Sequence, residues 1–200
     1  MPTAREALLE AAGAALAARP WPAIRMVEVA AAAGVSRQTL YNEFGGKEGL
    51  GRALLRREAD AFLTGLEEAL APPGTPTARL AAAAGRAVRT ARDRPLLRAL
   101  LTGSRPAGLP GPDGTEGPVP PDPGRLLAEA RDRVAARLAP TGVPPQACEL
   151  ALRIALSYVV APPDGQWPEP DSWSPITPTI TSVIETIFSV ETRSPRNTIP

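Results

Sequence analysis

Arg37, Gln38, Thr39, Tyr41 and Asn42 place five hydrogen-bonding side chains within six consecutive positions, with Ser36 just before them and Lys47 just after. The chemistry that such a set suits is the reading of base edges. Arginine can pair with guanine, and asparagine or glutamine with adenine, in the major groove of DNA. Each residue also has a plainer role: Ser36 as a helix cap, Tyr41 as a half-buried aromatic, Gln38 and Asn42 as solvated surface. Their concentration in one short segment favours recognition. Lys47 is the only lysine among 200 residues, since the other 21 of the 22 basic residues are arginines. An ammonium kept near the amino end of a helix stands where the dipole and free amides already favour a phosphate; the alternative is an ordinary surface lysine.

Two helices joined by a turn are needed to position these groups. Val29, Ala30 and Ala33 put small apolar side chains on one face of a short helix, so that a second helix can approach closely. Gly34 supplies the left-handed residue that ends it, and Val35 can fill the angle between the two. Ser36 then caps a second helix in which Leu40 and Phe44, four apart, share the buried side. The donors are left on the other sides.

Composition narrows the classes further. No apolar run reaches the roughly 18 residues that span a bilayer, and residues 1–20 lack the pattern of an export signal, so a cytoplasmic protein with no membrane partner is expected. With one cysteine, Cys148, and no histidine, neither a disulfide nor an ordinary metal site is expected, and Cys148 reads as a small core residue. The absence of histidine also removes the commonest general base, so no catalytic residues and no cofactor are assigned. Residues 1–60 carry eight basic and seven acidic side chains and residues 61–200 carry fourteen of each, so bulk charge would not recruit the chain to nucleic acid. Binding would rest on a local set, Arg25, Arg37 and Lys47, with Arg5 as a further candidate.

The matching positions Val29-Ala30, Ala33-Gly34-Val35-Ser36, Thr39-Leu40-Tyr41, Phe44, Lys47-Glu48 and Leu50 resemble the DNA-binding domain of the tetracycline-repressor (TetR) family of bacterial transcriptional regulators. The resemblance implies an all-α fold, with a helix-turn-helix domain at 1–46 and a helical ligand-binding and dimerisation body at 47–192. Within the domain, a three-helix head at about 3–43 carries its recognition helix at 37–43, and a connecting helix follows at 47–70. By position, Arg25, Ser36, Arg37, Gln38, Thr39, Tyr41, Asn42 and Lys47 fall where the family touches its operator. Two departures stand out. Arg25 and Met26 replace a threonine cap, and Glu43 brings a negative charge toward DNA where an aromatic or histidine is common.

Apolar periodicity outlines the rest. Helices are expected at 3–19, 77–92, 94–102, 125–138 and 144–161, separated by proline and glycine. Residues 103–124 are too rich in proline and glycine for one fixed form and are expected as a mobile loop. From 172 to 200 there is no alanine, leucine or glycine but five of the seven isoleucines, which reads either as a foreign segment or as a final helix at 178–190 with a disordered tail at 193–200. The resemblance implies a homodimer through the late helices 144–161 and 178–190; otherwise 144–161, apolar almost all round, is the central helix of one chain. It also implies a small-molecule effector. Leu97, Leu101, Leu127, Val134, Ile154, Tyr158 and Trp167 are the expected apolar lining, which points to a hydrophobic ligand. Leu100-Leu101-Thr102 and the later LSYVVAPP look like family members that sense fatty or alkane-like chains. The function implied is a ligand-responsive repressor of a palindromic operator on double-stranded DNA. A regulator of the same fold controlled by a protein partner, or without a ligand, stays open, and more remotely a small-molecule enzyme.

Overall fold

The computed structural model describes residues 2–104, 106–111, 122–162, 178, 181–183 and 186. Among them there is no strand. Within these residues eight α-helices follow in order: α1 (Ala4–Ala18), α2 (Met26–Ala32), α3 (Arg37–Phe44), α4 (Lys47–Ala69), α5 (Pro76–Asp93), α6 (Pro95–Thr102), α7 (Pro123–Leu138) and α8 (Pro145–Val160). The expected all-α fold is the observed one. Packing divides the chain into two compact units, residues 1–61 with 95–125 and residues 62–94 with 126–200, so the division falls inside α4.

In the first unit the local signals explain where each helix starts and stops. Thr3 caps α1 in a reciprocal box: its hydroxyl accepts from the Glu6 amide at 3.2 Å while the Glu6 carboxylate accepts from the Thr3 amide at 2.7 Å. At the end of α2, Gly34 takes φ 68°, and its amide and that of Val35 donate to the carbonyls of Ala31 and Ala30. Arg25 leads α2 with no side-chain capping bond, which agrees with the missing threonine. The core between α1, α2 and α3 is built from Leu8, Leu9, Ala12, Trp21, Ile24, Val29, Ala30, Leu40 and Phe44, all buried. Leu40 is fully covered, a burial worth roughly 1.5–3 kcal/mol. That packing gives α3 one fixed buried side and therefore one fixed outer side.

Within the segment expected as a mobile loop, Leu109 and Pro110 make tertiary contacts. Leu109 is buried, Gly108 sits at φ 81° against Pro22, and Pro110 lies against Gly51 of α4. A Cβ on Gly51 would come within 2.8 Å of the Pro110 ring, so the glycine is what lets the segment seat. One leucine among prolines supplies an anchor that average composition hides. Residues 112–121 lie outside the described part.

In the second unit α5 packs against α8 through small side chains. Ala84, Ala87, Val88 and Ala91 of α5 and Cys148, Ala151, Leu152 and Ala155 of α8 are buried, so both partners keep their backbones close. α7 buries Leu126, Ala130, Val134 and Leu138, while Leu127 is half-buried. Cys148 is buried as expected. Trp167, the tail 193–200 and most of the helix expected at 178–190 lie outside the described residues, although Pro178, 181–183 and 186 are helical.

Candidate nucleic-acid interface

α3 holds six of the eight expected DNA contacts or their cap. Ser36 stands just before it with extended backbone, and its hydroxyl accepts from the Thr39 amide at 3.0 Å. The Ser36 and Thr39 hydroxyls are also 2.8 Å apart. The cap therefore occupies Ser36 and Thr39, and leaves the next residues outward. Arg37, Gln38, Tyr41 and Asn42 are exposed, while Leu40 and Phe44 are buried behind them. The four outer residues are paired along the helix at i,i+4. The Arg37 guanidinium lies over the Tyr41 ring at 5.3 Å and donates to its hydroxyl at 3.4 Å. Gln38 Nε2 donates to Asn42 Oδ1 at 2.9 Å. Both pairs narrow the rotamers of long side chains and still leave donors free for a base edge.

The end of α3 is closed by Gly45 at φ 68°, whose amide donates to the Tyr41 carbonyl at 2.8 Å. Two residues later α4 begins. Gly49, in its first turn, passes so close to the Phe44 carbonyl that a Cβ would meet the oxygen at 1.8 Å. The sequence shows a glycine there without showing that necessity.

Lys47 is half-buried and fixed from two sides. Its Nζ donates to the Pro22 carbonyl at 3.0 Å and lies 5.6 Å from the centre of the Trp21 ring. An ammonium has three donors, so this anchorage sets its position and leaves capacity for a phosphate. Arg25 is the opposite case: its side chain is 79 % exposed and only 3.9 Å from Glu28 Oε1. The carboxyl of Glu28 is held below its usual value first by its hydrogen bond from Arg19, 2.7 Å long.

Arg5, a further phosphate candidate by sequence, is engaged elsewhere. Its guanidinium lies over the Phe44 ring at 4.6 Å, donates to the Glu43 carbonyl at 3.2 Å and stands 3.6 Å from the Glu43 carboxylate. The two residues are 38 apart in sequence, so periodicity carries no signal of the pairing.

Of the expected ligand lining, Leu97 and Leu101 are buried in the first unit; in the second, Val134 is buried and Leu127, Ile154 and Tyr158 are half-buried. None of them lines the groove of about 440 Å³ between α1 and α2, nor that of about 540 Å³ beside Glu67, Arg133 and Arg137. The structure buries Glu58 of α4 to 6 % exposure. It follows Arg56 and Arg57 in the sequence, and only tertiary packing distinguishes it.

Residues 8–54 match the sequence profile of "Bacterial regulatory proteins, tetR family". Over 66 residues the chain is 42 % identical to the HTH-type transcriptional regulator AlkX of Mycobacterium tuberculosis, a match covering 33 % of this chain and 31 % of that protein. A second HTH-type transcriptional regulator of the same species is 35 % identical over 103 residues, 52 % of this chain and 51 % of that protein. Among solved structures, the TetR family repressor AlkX from a Dietzia strain, implicated in biodegradation of n-alkanes, is similar across 92 % of this chain and 95 % of its own, with 26 % identity and a TM-score of 0.56. The curated matches thus span a third to a half of those regulators, whereas the structural match runs through nearly the whole chain.

Proposed function

Because this chain belongs to the tetR family of bacterial regulatory proteins through residues 8–54, we propose that it is a cytoplasmic repressor whose dimer binds a palindromic operator on double-stranded DNA and releases it on taking up a small hydrophobic molecule. The observation that carries the DNA reading is α3: capped by Ser36, fixed by Leu40 and Phe44, and presenting Arg37, Gln38, Tyr41 and Asn42 outward. Arg37, Gln38 and Asn42 read base edges; Lys47, Arg25 and the cap residues Ser36 and Thr39 position the head on the backbone. In a dimer one α3 enters each half-site, with centres about 34–36 Å or a multiple of it apart.

Dimerisation is assigned to α8, together with the segment 178–190. Support comes from Val160, a large apolar residue left 64 % exposed, beside the half-buried Leu156 and Tyr158. The effector site is assigned to the second unit, with Leu127, Val134, Ile154 and Tyr158 as lining. Its hydrophobic character rests on those side chains and on the similarity to a repressor implicated in n-alkane biodegradation.

Selection of bound duplexes from a random pool tests the first part, and a palindromic consensus is the expected result. Titrating linear alkanes, alcohols and fatty acids into the complex with that duplex tests the second. A true effector lowers DNA affinity because it binds the DNA-free form more tightly. If no compound changes affinity, the ligand reading fails while the DNA reading stands.

A further inference from the structure

We infer that Arg5 is a positioning residue of the recognition helix, which screens the Glu43 carboxylate from DNA and pins the last turn of α3, and that it is not a phosphate contact. The inference rests on the proposal that α3 binds DNA. Glu43 is the next-to-last residue of α3, where a negative charge meets the negative end of the helix dipole and, in a complex, the phosphates. It is the only carboxylate on that helix. Left alone, it would weaken binding at every sequence alike.

Arg5 answers it in three ways at once. Its charge stands 3.6 Å from the carboxylate; Nη1 satisfies the Glu43 carbonyl, one of the acceptors that a helix end leaves without an internal partner; and its plane covers the Phe44 ring. A planar guanidinium can donate from Nη1 to the carbonyl, stand beside the carboxylate and cover the ring at once. Both side chains are partly exposed, 50 % and 37 %, so the pair adds little to folding stability. Its effect lies in the field that an approaching duplex meets. A guanidinium committed to Glu43 is also poorly placed to spend its charge on a phosphate.

The test uses a fluorescent duplex selected from a random pool by the unaltered protein, with anisotropy followed across salt concentration. Arg5→Met is expected to bind about tenfold more weakly, and adding Glu43→Gln to it is expected to restore affinity to within about threefold, with the salt slope of the unaltered protein. Glu43→Gln alone is expected to bind at least as tightly as the unaltered protein. A double variant that stays as weak as Arg5→Met, with a slope lower by about one, overturns the inference and makes Arg5 a phosphate contact. Should Arg5→Met lose its cooperative thermal transition, Arg5→Gln, which keeps the stem and one donor, replaces it with the same expected rescue. If the unaltered protein selects no duplex, the DNA reading itself fails; if it binds and the rescue does not occur, only the role of Arg5 is overturned.

Discussion

The outer side of α3 and the charged surfaces of α7 and α8 handle their polarity in opposite ways. On α7 and α8 the charges close on one another: Arg133 pairs with Glu129 at 2.9 Å, Arg153 with Glu149 at 2.7 Å, and Arg131 reaches Glu149 at 3.5 Å. On α3 the partners are neutral amides, a hydroxyl and a ring, and the single carboxylate is held by Arg5. Closed ion pairs solvate a surface and have little left to offer a ligand. Donors paired only with neutral groups keep capacity for acceptors supplied from outside. The difference teaches that the outer side of α3 is set apart less by net charge than by the pairing of its donors with neutral partners.

Substitution at two glycines gives the largest contrast. Gly49→Ala would drive a Cβ into the Phe44 carbonyl at 1.8 Å, so a destabilisation of more than about 3 kcal/mol and a loss of DNA binding are expected in thermal unfolding and anisotropy. Gly85→Ala in α5 would meet only the movable end of Arg89 at 3.1 Å, and is expected within about 1 kcal/mol of the unaltered protein, helped by helix propensity. Equal costs at the two sites would break the contrast between a tightly packed head junction and a tolerant body helix.

Base reading comes next in size. Gln38→Ala or Asn42→Ala is expected to shift the preference at the base it reads by about 1–3 kcal/mol, measured by repeating the selection. Because the two amides are bonded at 2.9 Å, the double substitution should cost less than the sum of the singles. Arg153→Ala in the body should leave the preference unchanged. Lys47→Ala should weaken all sequences alike and lower the salt slope by about one for each phosphate it neutralises, since it is anchored beside Trp21 and not on α3.

The pH response is expected to be the smallest effect. Hydrogen bonds lower the carboxyls of Glu6 and Glu28 in the head and Glu149 in the body from the ordinary 4.5. A carboxyl lowered in the folded state lends stability that is present above its unfolded value and is lost as pH falls through the folded one. Both regions should therefore hold their melting temperature down to about pH 5 and lose a little below it. The Cys148 thiol, pushed up to about 11 by burial, should stay inert to thiol reagents at about pH 8 until unfolding exposes it.

Much of the head could be read residue by residue. Ser36, Gly34, the pair Leu40 and Phe44, and the helix spans follow from signals within four positions of each other, because capping and i,i+4 burial are local interactions. The same reasoning reaches the buried stripe of α7 and the buried Cys148. It misses the seating of Leu109, since one leucine in a proline-rich stretch has no period, and the burial of Glu58, which looks like its charged neighbours.

Sequence alone determined that the chain is helical, where α3 begins, and which side chains that helix turns outward. Tertiary structure decided what holds them there: Lys47 on the Pro22 carbonyl, 25 residues away, and Arg5 on Glu43, 38 away. Such pairings form only once packing has closed the intervening chain, so no local pattern encodes them.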